Sequence, residues 1–382
     1  MGKIVLIRLS GEVFLKSPAV VRRWVDILME NIRMRLRRKN IGFYSVDYVR
    51  GRIIVRGGSA EDIAFEVSRV FGVREAVVCL EVPTQIDGIC SAAVELARNW
   101  AGTFAVRTNR VYKGFPLTSL EVNKVVGRRI LEANDRLRVD LSNPDNTLVI
   151  EIRENSTFIY EKRINGPRGL PYGVSGSGVA LMSGGIDSTL AAWLMMKRGM
   201  QIISLHLDLS PFYSAEAKDR FMDAIRWLGD WVPDGKIKTY IVPIGEIHSK
   251  VELPGQKYRC VFCKMLMLKI AETVARIEKA QAIITGEVLS QVASQTPENM
   301  KTISSVVGTP ILRPLISMDK DEIDDMARKI GLYSIVARDV GKCKLVPEHP
   351  ATKTKREIAE KVIQILDHID LEELIERGEI HN

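Results

Sequence analysis

The sequence predicts an α/β protein whose second half is a parallel-sheet domain and whose first half is built from smaller α+β modules. Three observations carry this. Beyond residue 178, short apolar runs at 179–182, 202–207, 237–242 and 281–285 alternate with helical periodicities at 190–198, 215–228 and 262–278, the pattern of successive βαβ units. Before residue 165 strands and helices are mixed at short spacing, as in small α+β domains. Between the two, residues 166–177 (GPRGLPYGVSGS) concentrate glycine, proline and serine, a linker composition. The expected organisation is a module over 1–60, a second over 61–165, a linker over 166–177 and the parallel-sheet domain over 178–382.

In the first module, KIVLIR at 3–8 reads as a strand, Pro18 to Arg38 as a helix, and Ser45–Val49 with Arg52–Arg56 as a hairpin turned at Arg50-Gly51. The second module reads as helix 61–70, strand 76–80, helix 90–100, strand 103–107, helix 117–132 and strands 148–153 and 158–163. Late in the chain Asp319 can cap a helix with Glu322 three residues on, and Gly331 closes it. Residues 355–377 form an amphipathic helix or helix pair.

A chain of 382 residues with 46% hydrophobic content can bury two or three cores. No apolar run approaches the ~20 residues of a membrane span, and the amino end lacks a signal-peptide core, so a cytoplasmic enzyme is expected. Five cysteines in so long a chain are no secreted disulfide framework and point to a reducing compartment. The net charge of +8 is uneven: residues 1–60 carry thirteen Lys/Arg against four Asp/Glu. Arg33, Arg35, Arg37, Arg38 and Lys39 crowd one helix end, which either attracts a polyanion such as nucleic acid or is a solvated face suited to a helix C-terminus.

The most informative stretch is Leu181-Met182-Ser183-Gly184-Gly185-Ile186-Asp187-Ser188, between the apolar run from Gly178 and the helix from Leu190. A strand-to-helix turn of this kind suits pyrophosphate. Gly184 and Gly185 would let the backbone approach an anion, Ser183, Ser188 and Thr189 would supply hydroxyls, and the helix start would direct free N–H groups at it. Asp187 would repel phosphate alone and makes best sense holding Mg²⁺. The spacing and lysine of a Walker loop are missing, so phosphoryl transfer of that type is not supported. The loop resembles instead the PP-loop (SGGxDS) of the ATP pyrophosphatases, which adenylate a carbonyl oxygen and release pyrophosphate. A second segment, Thr285-Gly286-Glu287 through Gln291 and Gln295, follows the apolar run 282–284 and falls at the same sheet end if the sheet is parallel. There Gly286 would permit close approach of a nucleotide, and the two glutamines offer amide donors and acceptors.

Together, SGGIDS, the strand ending at His206, TGE-x-x-x-Q-V-A-S-Q-T and P-L-I-S-M-D-K-D-E-I at 314–323 resemble the tRNA 4-thiouridine synthetase (ThiI) family. The first half agrees: Phe104 through Thr118 and Glu121 to Gly127, Val139-Asp140-Leu141 and Leu148–Glu151 look like its THUMP domain, and GEVFLK at 11–16 like its ferredoxin-like module. The resemblance implies a PP-loop domain (adenine nucleotide α-hydrolase-like) behind ferredoxin-like and THUMP domains. It implies that ATP adenylates O4 of uridine 8 in tRNA and that sulfur then attacks C4. By matching position Leu181, Met182, His206, Leu207, Lys264, Gly286 and Gln295 would line the ATP site, with Lys320 near the reacting centre. His206 by itself reads as a strand-end histidine bonded to backbone. THUMP and the basic amino-terminal module would hold tRNA, with Arg107, Arg110 and Lys113 as contributors or as solvated cations. A homodimer is suggested by analogy with other ferredoxin-like modules.

Cys260-Val261-Phe262-Cys263, with Cys343 eighty residues later, is the third constellation. The C-x-x-C pair suits a metal, a cluster or disulfide exchange, and Tyr258, Arg259 and Lys264 make the setting electropositive, which favours thiolates. His349 is available as a further ligand, though nothing in its spacing singles it out. Cys343, ahead of P-A-T-K at 350–353, stands where many family members pair a cysteine with a rhodanese domain, for which the chain leaves no room. This looks like the archaeal branch, in which the three cysteines hold a [4Fe–4S] cluster whose open iron takes hydrosulfide. The competing mechanism is a persulfide relay through Cys260, Cys263 and Cys343, with sulfur from a persulfide carrier. Another PP-loop tRNA thiolase, making 2-thiouridine or 2-thiocytidine, is the competing activity. Cys79 and Cys90 lie in apolar periodic segments and read as packing residues.

Overall fold

The apolar run after Lys3 becomes β1 (Lys3–Leu9), a central strand whose side chains are nearly all buried. In the computed structural model, which describes residues 2–381, the chain divides into two units between Gly169 and Leu170.

In the first unit β1 is followed by α1 (Pro18–Arg38), the hairpin β2 (Phe43–Val49) and β3 (Arg52–Gly57), α2 (Ala60–Val67) and β4 (Val73–Val82). Pro18 stands at the first turn of α1, where a missing N–H costs nothing. Then come α3 (Ile86–Ala97), β5 (Gly102–Arg110), α4 (Ser119–Ala133), β6 (Leu137–Val139), β7 (Asn146–Ile152), β8 (Thr157–Tyr160) and β9 (Ile164–Asn165). Thr118 and Glu121 close a reciprocal capping box on α4. The strands join one sheet in the order β2-β3-β1-β4-β8-β7-β5-β6, with β9 also on β4. β4 pairs with β1 on one side and with β8 on the other, so a single sheet runs through the chain on both sides of residue 60.

Much of the positive charge of residues 1–60 is neutralised inside this unit. Arg35 is almost fully buried and paired with Glu66 at 2.7 Å, so it is not part of a solvated helix end. Arg8, Arg52 and Arg153 converge on the fully buried Glu151 at 2.9, 3.5 and 2.7 Å. Burial alone would raise the Glu151 carboxyl, but the guanidinium groups outweigh it and hold it below the usual range.

The second unit contains β10 (Ser177–Leu181), α5 (Ile186–Lys197), β11 (Gln201–Asp208), α6 (Ala215–Gly229), β12 (Thr239–Pro243), α7 (Gly245–Lys250) and α8 (Arg259–Glu278). It continues with β13 (Ala282–Ile284), α9 (Pro297–Ser304), β14 (Ile311–Leu312), α10 (Lys320–Lys329) and α11 (Tyr333–Val336). The chain ends on α12 (Arg356–Asp367), α13 (Leu371–Glu376) and β15 (Glu379–His381). The sheet order is β14-β13-β10-β11-β12-β15. All pairs are parallel except the last, where β15 runs antiparallel to β12. The expected parallel sheet therefore acquires an antiparallel edge strand from the three residues of β15, too few to carry a period-2 signal. The core beneath the sheet is formed by α8, whose Val261, Phe262, Met265, Leu266 and Ile270 are buried against Leu205, Val242 and Ile283. Among the described residues no helix is long and apolar enough to cross a membrane.

Candidate active site

β10 lies between β11 and β13, and the chain leaves it first to β11 and β12 on one side and later to β13 and β14 on the other. The carboxyl end of β10 is thus the switch point of the sheet, the place where open α/β sheets hold ligands. Residues 182–185 leave β10 there, and α5 begins at Ile186, four residues earlier than the apolar periodicity suggests, because Asp187, Ser188 and Thr189 form a polar first turn. The N-cap, Gly185, has no side chain to cap the turn, so the first N–H groups of α5 remain available to an anion.

The loop hydroxyls bond within their own turn. Ser188 Oγ accepts from Ser183 N at 3.2 Å and donates to the Gly185 carbonyl at 3.3 Å, while Thr189 Oγ1 donates to the same carbonyl at 2.8 Å. They brace the loop, and Ser183 and Ser188 also line the cavity beside it. The glycines are also needed for a different reason. Gly184 has φ +73°, and a Cβ there would come within 2.4 Å of the Phe221 Cα on α6. A Cβ on Gly286 would come within 2.7 Å of the Asp187 carbonyl carbon and of the Ser188 nitrogen. The missing side chain of Gly286 lets the start of α5 approach. The two sequence motifs are thereby packed backbone to backbone.

Beside the loop lies a cavity of about 150 Å³ lined by Leu181, Met182, Ser183, Ser188, His206 and Leu207, among others. A neighbouring cavity of about 130 Å³ shares Leu181 and Met267 with it and is lined also by Lys264, Thr285 and Glu287. His206 is buried, stacked on Phe221 at 4.3 Å, and bonded through Nδ1 to the Met182 carbonyl at 2.9 Å. A carbonyl can only accept, so Nδ1 carries the proton in this contact. Burial pulls the imidazole below its ordinary pKa, favouring the neutral ring. Gln295 is buried, and its Oε1 has no hydrogen-bond partner, an orphaned acceptor of the sort a ligand amine satisfies. Gln291 is exposed.

Two charge clusters frame the cavities. Lys320, the first residue of α10, pairs with Asp187 at 3.1 Å and with Asp324 at 3.2 Å, in a helix start fixed by the Asp319–Glu322 capping box. Partial burial pulls the ammonium down, but the two carboxylates outweigh it and hold it above its usual range. Lys264 pairs at 2.8 Å with Glu287, which also accepts from Arg313 at 2.8 Å and from Thr285 Oγ1 at 3.1 Å. Burial raises the Glu287 carboxyl, yet Lys264 and Arg313 bring it below the usual range. Glu287 was passed over in the sequence although it sits inside the TGE segment, where an acid after a strand-end glycine was the available signal.

Cys260 and Cys263 lie in the first turn of α8, and Cys343 precedes the segment that reaches back to Phe212 through the Lys344 N–H. All three are free and partly buried, and Cys263 and Cys343 pack against the core. They share one electrostatic neighbourhood, since a charge on Cys343 is felt at both other sulfurs. The expected thiolates are not favoured. Burial, then the neighbouring sulfurs, raises Cys260 and pushes Cys263 up to about 12. Lys264 and Arg259 act in the other direction but are committed elsewhere, Lys264 to Glu287 and Arg259 to Gln256 and to the His248 carbonyl. Among the described residues no three His, Cys, Asp or Glu side chains form a ready-made metal-ligating group, and His349 is exposed. Cys79 and Cys90 are buried packing residues.

In the first unit Arg107 bonds to the Leu141 carbonyl. Arg110 donates to the carbonyls of Lys113, Phe115 and Leu117 at 3.4, 2.9 and 3.2 Å, which makes it the clamp of its own loop. Lys113 is exposed.

A phosphate-type loop at the switch point of a parallel sheet, beside a cavity lined by a neutral histidine, defines an α/β protein of the PP-loop type. The comparisons narrow this. Residues 173–368 match the family described as Thiamine biosynthesis protein (ThiI), residues 84–161 the THUMP domain and residues 4–76 the ThiI ferredoxin-like domain, and the chain belongs to the ThiI family. A relative from Clostridium acetobutylicum named probable tRNA sulfurtransferase is 34% identical over 371 residues, 96% of this chain and 95% of its own. A relative of the same name from Methanosarcina mazei is 36% identical over 97% of this chain and 92% of its own. Among solved structures, a 4-thiouridine synthetase in complex with RNA and bound ATP superposes with a TM-score of 0.87 at 29% identity, covering 99% of both chains.

Proposed function

We propose that this chain is a tRNA sulfurtransferase that adenylates O4 of uridine 8 and replaces that oxygen with sulfur. The observation that carries this is the preformed loop at residues 182–188, open at the start of α5 and flanked by two adjoining cavities with Leu181, Met182, His206, Leu207 and Lys264 on their walls. The likeness to a synthetase solved with ATP and RNA supports it over the whole chain. In the first step uridine O4 bonds to the α-phosphorus of ATP as the bond to the β-phosphate oxygen breaks, and pyrophosphate leaves. In the second a sulfur nucleophile adds at C4 and AMP departs, carrying away the original oxygen.

The residues fit a divalent cation only through Asp187, the single acid of the loop, whose carboxylate would share Mg²⁺ with phosphate oxygens. Lys320, paired with that carboxylate, would offer its ammonium to the developing negative charge of the adenylate. For the sulfur step, Cys260, Cys263 and Cys343 are the residues that would hold an iron–sulfur cluster. Their chemistry fits, because a bound metal stabilises thiolates that burial otherwise keeps protonated. A cluster with three protein ligands supplies one open iron for an inorganic sulfur atom. The raised thiols speak against an unassisted persulfide relay, which needs a thiolate nucleophile at neutral pH. The first unit would hold tRNA by its phosphates and folded shape, with exposed cations such as Lys113 in preference to the committed Arg110.

The test is Asp187→Ala assayed with ATP and unmodified tRNA. AMP and pyrophosphate formation should be abolished while tRNA binding survives, and nucleoside mass spectrometry of a deletion strain should lose 4-thiouridine. Loss of a different thionucleoside, or a wild-type protein that releases no pyrophosphate, overturns the reading.

A further inference from the structure

The loop assigned to pyrophosphate contains no lysine or arginine, and its one charged residue is an acid. With Asp187 and Asp324 sharing Lys320, that side of the loop is net negative by one charge, a poor setting for a triphosphate. A fixed guanidinium would complement a metal held by Asp187, and α6 carries one.

We propose that Arg220 binds the β- and γ-phosphates of ATP and grips the pyrophosphate as it leaves; the inference rests on the adenylation reading above. Arg220 lies in the same turn of α6 whose backbone packs against Gly184. Its Nη2 comes within 3.7 Å of the point where a side chain on Gly185 would begin, and Gly185 is the N-cap of α5. The guanidinium therefore stands at the mouth of the uncapped helix start. Its Nε is buried and has no hydrogen-bond partner, and Nη1 is anchored to the Arg338 carbonyl at 3.3 Å.

Of the other charges of α6, Asp219 next to Arg220 is exposed and makes no ion pair with it, and three more are engaged elsewhere. Lys218 pairs with Glu379 at 2.7 Å, and Asp223, one turn from Arg220, is taken by Arg226 and by Arg338 at 2.6 Å. Among the described residues no carboxylate neutralises Arg220. An unpaired guanidinium held by one carbonyl beside open N–H groups is arranged for a multiply charged oxyanion. Its planar fork can donate two parallel bonds to neighbouring phosphate oxygens, which a lysine cannot reproduce. It also meets the charge that builds on the bridging oxygen as the α–β bond breaks, where fixed donors act most strongly.

The experiment compares wild type, Arg220→Gln and Arg220→Lys as full-length protein with unmodified tRNA. It measures pyrophosphate release, inhibition by added inorganic pyrophosphate, and AMP affinity. Arg220→Gln should lower kcat/KM for ATP by about 100-fold and weaken pyrophosphate inhibition by about 10-fold or more, with Arg220→Lys in between. AMP, which lacks the phosphates in question, should bind within about two-fold of wild type. Unchanged pyrophosphate inhibition in Arg220→Gln overturns the proposal, and so does AMP affinity that falls in step with it, which marks a structural role. Failure of wild type itself to release pyrophosphate overturns the underlying reading instead.

Discussion

The loop at residues 182–188 and the three-cysteine region sit in the same unit and are held in opposite ways. The loop is braced by its own hydroxyls and by backbone packing from α6 and from the Gly286 segment, so its open N–H groups are in place before any ligand arrives. The cysteines have no such bracing. They lie in a partly apolar setting, and burial with the neighbouring sulfurs opposes ionisation of Cys260 and Cys263. Under the proposed function, the adenylation site is preorganised by the fold, whereas the sulfur site would need a group that supplies positive charge to the sulfurs.

That contrast can be broken most sharply at Cys343. Cys343→Ala should abolish tRNA thiolation while pyrophosphate release with unmodified tRNA continues, since no backbone brace of the loop involves it; parallel loss of both activities would join the two regions into one. The iron and sulfide content of anaerobically purified wild type and variant adds the cofactor arm, and iron-free protein that still thiolates would remove the cluster. A smaller effect is expected on the other side of the comparison. Gly286→Ala places a methyl within 2.7 Å of the Asp187 and Ser188 backbone and should cost about 1–3 kcal/mol in denaturant unfolding. Adenylation should fall with it as the start of α5 is displaced. A variant of unchanged stability and turnover would mean that the loop is looser than described.

The smallest effect concerns His248, buried against the edge of Phe262 near the first turn of α8. Burial, then the charge of Arg259, pushes its imidazole down to about 4. The unfolded chain binds a proton near the ordinary value of about 6.5 and the folded chain refuses it, so stability falls as pH drops from about 6.5 toward 4 and levels off below. His248→Phe should therefore gain about 1–2 kcal/mol relative to wild type between pH 7 and pH 5, read as a Tm difference that grows on acidification. A constant difference would show that the ring is protonated in the folded protein.

The parts of this molecule legible in the sequence are those built from neighbours along the chain. SGGIDS announced a strand, a turn and a helix because glycine, hydroxyl and acid occur within six residues, and the Asp319–Glu322 cap of α10 was equally local. Identities of residues were legible, but their partners were not. Arg35 and Arg110 looked like surface cations because nothing in the sequence marks Glu66 or three loop carbonyls as their acceptors. The cysteines looked electropositive from adjacent Arg259 and Lys264, while burial and the neighbouring sulfurs reversed the outcome for Cys260 and Cys263. Arg220 is one more cation on an amphipathic helix until α6 folds onto Gly184.

From the sequence alone came the order of strands and helices, the phosphate-type turn and the kinship with a family of tRNA thiolases, since each rests on short-range patterns of size, polarity and backbone freedom. Tertiary structure alone brought Lys320 onto Asp187, 133 residues earlier, set Gly286 against the start of α5 and left Arg220 unpaired beside Gly185. Charge pairing and steric contact act through space over a few ångströms, and only the folded chain determines which residues come that close.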